Sequence, residues 1–158
     1  MRTWRRSSAG GFSFVEMIIA TLLIMILASA AMPIVRISIR REREATLRRT
    51  LRELRMAIDK YQDACVGNKI AATDVTAQCY PPTLQVLVDG APALNSTADM
   101  KFKFLRRIPL DPITGKAEWG YKSVTDMVDA KSWGGGNVFD VYSKAEGSAL
   151  DKTKYRDW

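Results

Sequence analysis

Few side chains in this sequence combine the residue types and spacing that chemistry requires. The chain contains no histidine, which excludes histidine acid–base catalysis, histidine-activated serine or cysteine nucleophiles and histidine metal ligands. What remains is a carboxylate, Glu16, at the start of an apolar stretch, the cysteine pair Cys65 and Cys79, and a group of oxygen-bearing side chains after Asp140. No constellation typical of an active site is visible, so we expect a protein that is not an enzyme.

The two cysteines are separated by a short, mostly polar segment. Two thiolates without histidine cannot fill the four positions of a tetrahedral zinc site. The sequence therefore favours a disulfide between Cys65 and Cys79, which would stabilise the fold by about 3 kcal/mol and would indicate an oxidising compartment. The alternative is that both are small buried apolar side chains with free thiols.

Glu16 stands out because of the residues that follow it. Phe12 to Val35 is an apolar run of 24 residues, and Met17 to Val35 carries no charge. As a helix this run would span about 36 Å, enough to cross a hydrocarbon core of roughly 30 Å. An unpaired carboxylate inside lipid is costly and therefore indicates a function. The alternative is that Glu16 lies among the lipid head groups and is solvated.

The segment Gly11-Phe12-Ser13-Phe14-Val15-Glu16, preceded by a basic leader, resembles the type III signal of type IV pilins and type II secretion pseudopilins. The resemblance implies cleavage by a prepilin peptidase after Gly11 and methylation of the new amino terminus at Phe12. It also implies that Glu16 faces the terminal amine of a neighbouring subunit during assembly. Each charge of such a pair removes the other's desolvation penalty. On one helix Phe12 and Glu16 lie one turn apart, so a free subunit could also pair them internally.

Pro33 adds to this resemblance, because many relatives in the pilin family carry a proline at the corresponding place. A proline inside a helix removes a backbone hydrogen bond and kinks or loosens the helix. We therefore expect a helix kink at Pro33.

Two alternatives compete with cleavage after Gly11. The tripeptide Ala28-Ser29-Ala30 fits the A-x-A site of an ordinary signal peptidase, and cleavage there would release a soluble periplasmic protein that begins at Ala31. The segment could also remain an uncleaved anchor. The positive-inside rule opposes a periplasmic C-terminal part, because three arginines precede the span and eight lie between Arg36 and Arg55. The cleavage motif and the expected disulfide favour the periplasm.

The segment Arg36 to Ala64 reads as an amphipathic continuation of the helix. Its apolar residues recur at spacings of three and four and predict a stripe that packs on the C-terminal domain: Leu47, Leu51, Leu54, Ile58 and Tyr61. We expect ion pairs between Glu44 and Arg48 and between Arg55 and Asp59. The arginines could form a solvated face or bind phospholipid head groups or acidic residues of adjacent subunits. Nucleic-acid binding is not favoured, because no aromatic residues are interleaved with the arginines.

The remaining chain predicts a small domain. Gly67 to Gln78 and Gly90 to Ala98 read as loops, and Thr83 to Val88 as a short helix. Ala117 to Val124 and Val138 to Ser143 read as strands. The aromatic residues are expected to fill a small core rather than bind a ligand: Trp119, Trp133, Phe139 and Tyr142. The stretches Tyr80-Pro81-Pro82-Thr83-Leu84 and Phe104-Leu105-Arg106-Arg107-Ile108-Pro109-Leu110-Asp111-Pro112 resemble the major pseudopilin of type II secretion.

The stretch from Asp140 to Trp158 resembles the pseudopilin C-terminal loop that often holds calcium. Calcium requires six to eight oxygens, several of them from carboxylates. Candidate donors are Asp140, Ser143, Glu146, Asp151 and Asp157. Lys154 departs from the pattern, because the family usually has an acidic residue at that place and a cation there opposes metal binding. Calcium is therefore one expectation, and a loop fixed by packing with Trp158 as an anchor is the other.

Together these observations predict an α+β, pilin-like fold: a long N-terminal helix, half of it in the membrane, packed on a small antiparallel β-sheet. The expected divisions are a leader (1–11), a transmembrane and polymerisation helix (12–35), its amphipathic continuation (36–64) and a periplasmic globular domain (65–158). The resemblance implies a structural subunit of a type II secretion pseudopilus, with an extracellular type IV pilus as the alternative. The implied partners are copies of itself, other pseudopilins, the prepilin peptidase, an inner-membrane assembly platform and membrane lipid.

Overall fold

The structure is a computed structural model that describes residues 11–71, 78–94, 100–127, 129–130 and 132–158, and only the backbone of residues 30–32. Residues 1–10 of the expected leader lie outside this range, as do parts of both expected loops. The chain divides into two compact units, Met1–Ile39 and Arg40–Trp158. The helix α1, Phe14–Val66, is the longest element and contributes to both.

In the first unit, α1 begins at Phe14, with the amide of Met17 donating to the Ser13 carbonyl at 3.1 Å. Every described side chain from Gly11 to Ser29 is exposed. The helix is long and apolar enough to cross a membrane, and this stretch lies near the N-terminus. The helix continues through Pro33.

In the second unit, α1 supplies one wall of the hydrophobic core. The predicted stripe is confirmed, because all five of its side chains are buried, each with 1% or less of its surface exposed: Leu47, Leu51, Leu54, Ile58 and Tyr61. A 3.6-residue period places such positions on one face of the helix. Against this face pack a short helix, two small sheets and the C-terminal segment, through side chains that include Leu84, Leu87, Trp119, Val141 and Tyr155.

The short helix α2, Leu84–Asp89, confirms the helix predicted over Thr83 to Val88. It ends at Gly90, which has a φ of 90° and donates its amide to the Val86 carbonyl. Glycine adopts this backbone conformation without the steric penalty of a side chain. The Leu87 carbonyl then accepts the amides of Phe104 and Leu105, which ties the following segment to α2.

Within the described residues, four strands form two separate antiparallel pairs. The strand β1, Ala91–Pro92, pairs with β2, Lys101–Phe102. The strand β3, Trp119–Lys122, pairs with β4, Asp140–Ser143, with Trp119 opposite Ser143. The α+β class is confirmed, whereas the single sheet becomes two sheets of two strands.

Local sequence explains why the sheets stay separate. Between β2 and β3 the chain contains Pro109 and Pro112, which lack an amide hydrogen for a strand ladder. Asp111 between them forms a tight turn, accepting the amide of Ile113 at 2.8 Å on its own carboxylate. The prediction of an unstructured loop from Gly90 was wrong at its start, where β1 lies.

The aromatic core prediction holds only in part. Trp119 is fully buried, and its indole donates to the Pro109 carbonyl at 3.0 Å. Trp133 and Phe139 are exposed, at 38% and 45% of their surface. Trp133 instead meets Tyr121 of β3 edge to face, and Phe139 meets Tyr80 in the same way. A tryptophan at a surface can keep its ring on apolar neighbours while its N–H reaches a polar partner.

Candidate functional sites

The predicted cleavage point lies in the first unit, immediately before α1. Gly11 and Phe12 belong to no helix or strand, and the Phe12 side chain is 78% exposed. Exposed backbone outside regular structure is where proteases cut most readily. The bond between Gly11 and Phe12 is therefore accessible to a peptidase in this arrangement.

Glu16 lies in the first turn of α1. The first four amides of a helix have no partner within it, and the helix dipole places partial positive charge there. A carboxylate at this position is thus partly stabilised by its own helix. Its side chain is exposed, and none of the described residues forms an ion pair with it. Phe12 precedes the helix, so the geometry of one regular turn between Phe12 and Glu16 does not apply in the uncut chain.

The apolar part of α1 has no polar face between Met17 and Leu27. Its hydroxyl groups are turned inward to the backbone: Thr21 donates to the Ile18 carbonyl at 2.9 Å. Ser29 donates in the same way to the Ile26 carbonyl. A helix that is apolar on every side belongs in a protein core or in a membrane. Neither hydroxyl therefore adds an unsatisfied polar group to this surface.

In the second unit, Cys65 and Cys79 form a disulfide, as expected. Cys65 lies in the last turn of α1, and Cys79 has a φ of 65° in the segment that leads to α2. The bond closes a separation of 14 residues. It therefore holds the end of α1 to the start of the chain that builds the rest of the domain.

One edge of α1 binds the C-terminal segment through four side chains, Arg40, Glu44, Arg48 and Arg55, which we call the helix clasp. They lie beside the buried stripe, on the same side of the helix. Their partners lie between Asp140 and Trp158, so each contact joins residues that are 85 or more positions apart.

Glu44 is the buried centre of the clasp. Its carboxylate accepts the amide of Leu150 at 3.0 Å and the hydroxyl of Tyr155 at 2.9 Å. Arg40 pairs with the same carboxylate at 3.3 Å and also donates to the Ser148 carbonyl. The hydrogen bond between Arg40 and Tyr155 raises the pKa of the guanidinium above its ordinary value. The predicted pair of Glu44 with Arg48 was wrong, because Glu44 pairs with Arg40.

Arg48 holds the middle of the C-terminal segment. It pairs with Asp151 at 2.9 Å, and its guanidinium lies 4.1 Å from the ring centre of Trp158. The hydrogen bonds that Thr153 donates to Asp151, assisted by Arg48, lower the pKa of this carboxyl below its usual value. Trp158 is thereby placed as an anchor, in agreement with one of the two expectations for this segment.

Arg55 closes the clasp near β4. Its Nε donates to Asp140 Oδ1 at 2.6 Å, and its Nη2 donates to the main-chain oxygen of Trp158 at 2.6 Å. Weaker contacts of 3.3 Å reach Asp140 Oδ2 and the Val141 carbonyl. The predicted pair of Arg55 with Asp59 was wrong, because Asp140 provides a two-pronged acceptor that matches the guanidinium.

Three of the five expected calcium donors, Asp140, Ser143 and Asp151, make other contacts. Asp140 and Asp151 already receive guanidinium hydrogen bonds. Ser143 donates its hydroxyl to buried Asp111 at 2.6 Å. Within the described part of the chain, no group of three or more acidic, cysteine or histidine side chains is placed to hold a metal ion.

The clasp also divides the arginine cluster. Arg40, Arg48 and Arg55 bind the C-terminal segment, whereas the other four arginines that α1 contributes to the second unit are exposed: Arg41, Arg43, Arg49 and Arg52. Sequence reasoning did not separate these two sets, because both carry the same residue type at similar spacing.

No protein-family model, curated protein or solved structure matches this chain.

Proposed function

We propose that this protein is a membrane-anchored, pilin-like subunit that polymerises through its N-terminal helix, as a component of a type II secretion pseudopilus. A prepilin peptidase cuts after Gly11 and methylates Phe12. The apolar helix holds the subunit in the inner membrane until assembly, and the second unit lies in the periplasm.

The observation that carries the proposal is the exposed apolar surface of α1. Its large apolar side chains from Phe14 to Leu27 are about half or more exposed. Such a continuous apolar surface is unfavourable in water. Large contiguous apolar patches on a protein mark sites of interaction with other proteins or with a membrane. Lipid covers this apolar surface before assembly, and the helices of neighbouring subunits cover it in the filament.

Glu16 gives the proposal its specificity. A membrane anchor needs no carboxylate at the start of its apolar segment, and burial among helices would penalise one without a partner. Cleavage after Gly11 creates a cation at Phe12 in every subunit. When the Phe12 amine of one copy meets Glu16 of another in low dielectric, both charges are compensated. The pair thereby sets the register between subunits.

The second unit supports a periplasmic location through its disulfide. Disulfides persist in oxidising compartments and are rare in the cytosol. The partners of the proposed subunit are copies of itself, other pseudopilins, the peptidase, the assembly platform and membrane lipid. The catalytic work is done by the peptidase, and the subunit itself is not an enzyme.

Intact mass of the protein extracted from membranes tests the processing step. We expect a mass that corresponds to loss of residues 1–11 and gain of one methyl group. The variant Gly11→Val is expected to keep its leader, whereas Gly67→Ala, far from the signal, is expected to be processed normally. A native product that begins at Ala31 and washes off membranes would exclude the proposal.

Assembly tests the role of Glu16. Glu16→Ala is expected to be processed and methylated but to enter filaments poorly, because the Phe12 amine of the neighbour loses its counter-charge. The control is Thr21→Ala, which changes another exposed residue of α1, five positions after Glu16. This variant is expected to assemble normally. Normal filament yield from Glu16→Ala would remove the proposed role. Filaments found outside the cells would assign the subunit to an extracellular pilus.

A further inference from the structure

The C-terminal segment from Asp140 to Trp158 is the part for which the pilin resemblance suggested calcium, and the carboxylates of Asp140 and Asp151 are bound there by arginines. Four oxygen atoms from two chain segments converge on one side chain, Arg55. Two belong to the Asp140 carboxylate, one is the Val141 carbonyl and one is the main-chain oxygen of Trp158.

We infer that the guanidinium of Arg55 is the built-in cation of this segment, and that the helix clasp replaces a metal ion in holding the C-terminal segment to α1. The inference is independent of polymerisation, because all of its contacts lie within the second unit.

The chemistry of the oxygens supports this assignment. A carboxylate and main-chain carbonyls are the donors that a hard cation such as Ca²⁺ prefers. They are also the acceptors that a planar guanidinium binds well, since its N–H groups point in fixed directions and can engage a carboxylate in two prongs. Arg55 and Asp140 are partly exposed, at 36% and 30% of their side chains, so neither carries the full desolvation cost of a buried ion.

One other clasp contact occupies a further candidate donor, Asp151. Arg48 binds Asp151, and Glu44 faces inward to Tyr155 and Leu150. The bridge that pairs Ser148 with Lys154 places a lysine in the same turn. A metal ion would have to displace at least two guanidinium groups and approach a third cation, which Coulomb repulsion opposes.

Thermal unfolding of the full-length protein in detergent, followed with EDTA, with Ca²⁺ and with Mg²⁺, tests the assignment directly. A cation bound only to the folded state would raise the unfolding temperature by roughly 10 °C at about a hundredfold excess over its Kd. We expect the three curves to coincide. A rise with Ca²⁺ that EDTA reverses would overturn the inference, whatever the result of the processing and assembly tests.

Backbone hydrogen exchange tests the role of Arg55 itself. In Arg55→Met, we expect exchange at the amides of Lys152, Asp157 and Trp158 to become at least about tenfold faster, because the segment loses its anchor. The control is Arg49→Met, which removes an exposed arginine from the same helix and should leave these amides unchanged. Arg55→Lys keeps the charge but cannot bind a carboxylate in two prongs. Its amide exchange rates should lie between those of wild type and Arg55→Met. Equal protection in Arg55→Met and Arg49→Met would overturn the assignment.

Discussion

Replacement of Glu44 offers the sharpest test of how the second unit is held together. Its carboxylate receives three donors at once, from Leu150, Tyr155 and Arg40, and only 11% of the side chain is exposed. Glu44→Ala removes the acceptor and leaves the donors behind. Glu44→Gln keeps the shape and one acceptor oxygen but removes the charge.

The expected magnitudes follow from the surroundings of each donor. The Tyr155 side chain is buried, so an unsatisfied hydroxyl there costs about 2 kcal/mol. The Leu150 amide adds about 1 kcal/mol, and the ion pair with Arg40 adds little because the guanidinium is half exposed. Glu44→Ala should therefore cost about 3 kcal/mol. Glu44→Gln should cost about 1 kcal/mol, since its amide oxygen still accepts from the tyrosine.

Tryptophan fluorescence of the protein without residues 1–11 reports unfolding of this unit, because Trp119, Trp133 and Trp158 all lie in it and the apolar run from Phe12 to Val35 contains no tryptophan. At about 4 °C per kcal/mol for a domain of this size, Glu44→Ala should lower the unfolding temperature by about 12 °C and Glu44→Gln by about 4 °C. Glu42→Ala, an exposed glutamate two positions earlier, is the control and should change it little. If Glu44→Ala behaved like Glu42→Ala, or if Glu44→Gln were as damaging as Glu44→Ala, the reasoning would be refuted.

Three further predictions concern the same unit. Replacing both Cys65 and Cys79 by alanine should cost about 3 kcal/mol, and thiol trapping in cells should show the pair oxidised in wild type; a fully reduced pair would contradict the proposed periplasmic location. Gly120→Ala should cost about 2 kcal/mol or more, because its Cβ would overlap the tyrosine ring opposite it in the β3–β4 pair; equal unfolding temperatures would contradict this. The Asp151 pKa is lowered by Thr153 hydrogen bonds, so its stabilisation is present above the unfolded value of 3.8 and disappears as pH falls through the lower folded value. Asp151→Asn should therefore unfold earlier than wild type at pH 6 but not near pH 2, and a gap independent of pH would contradict the assignment.

Local patterns explain which parts of the fold could be predicted from the sequence. The stripe from Leu47 to Tyr61 was found because helical periodicity is a local signal, and burial of one face follows from it. The apolar run after Glu16 and the short helix at Leu84–Asp89 were found in the same way. The β1–β2 pair was missed, since each of its strands is two residues long and too short to show an alternating pattern.

The clasp could not be predicted, because its partners are distant in the sequence. The spacing rule for helices gave Glu44 with Arg48 and Arg55 with Asp59, since residues four apart are neighbours on a helix surface. Such exposed pairs contribute only a few tenths of a kcal/mol. Folding brings Asp140 to Arg55 and places main-chain oxygens against the same guanidinium. Arg55 therefore pairs with Asp140 rather than with Asp59. The sequence signal that remained was the density of arginine along α1 between Arg36 and Arg55.

That density bears on the conflict between the arginine distribution and the proposed topology. Eight arginines after the apolar segment against three before it would place the second unit in the cytoplasm. Arg40, Arg48 and Arg55 have a structural role, because the clasp needs them whichever side of the membrane the second unit lies on. Without these three, five arginines follow the apolar segment and three precede it. The arginine count is therefore a weaker argument for the cytoplasm. The disulfide between Cys65 and Cys79 has no comparable second explanation in a reducing compartment, and for this reason it outweighs the arginine count in favour of the periplasm.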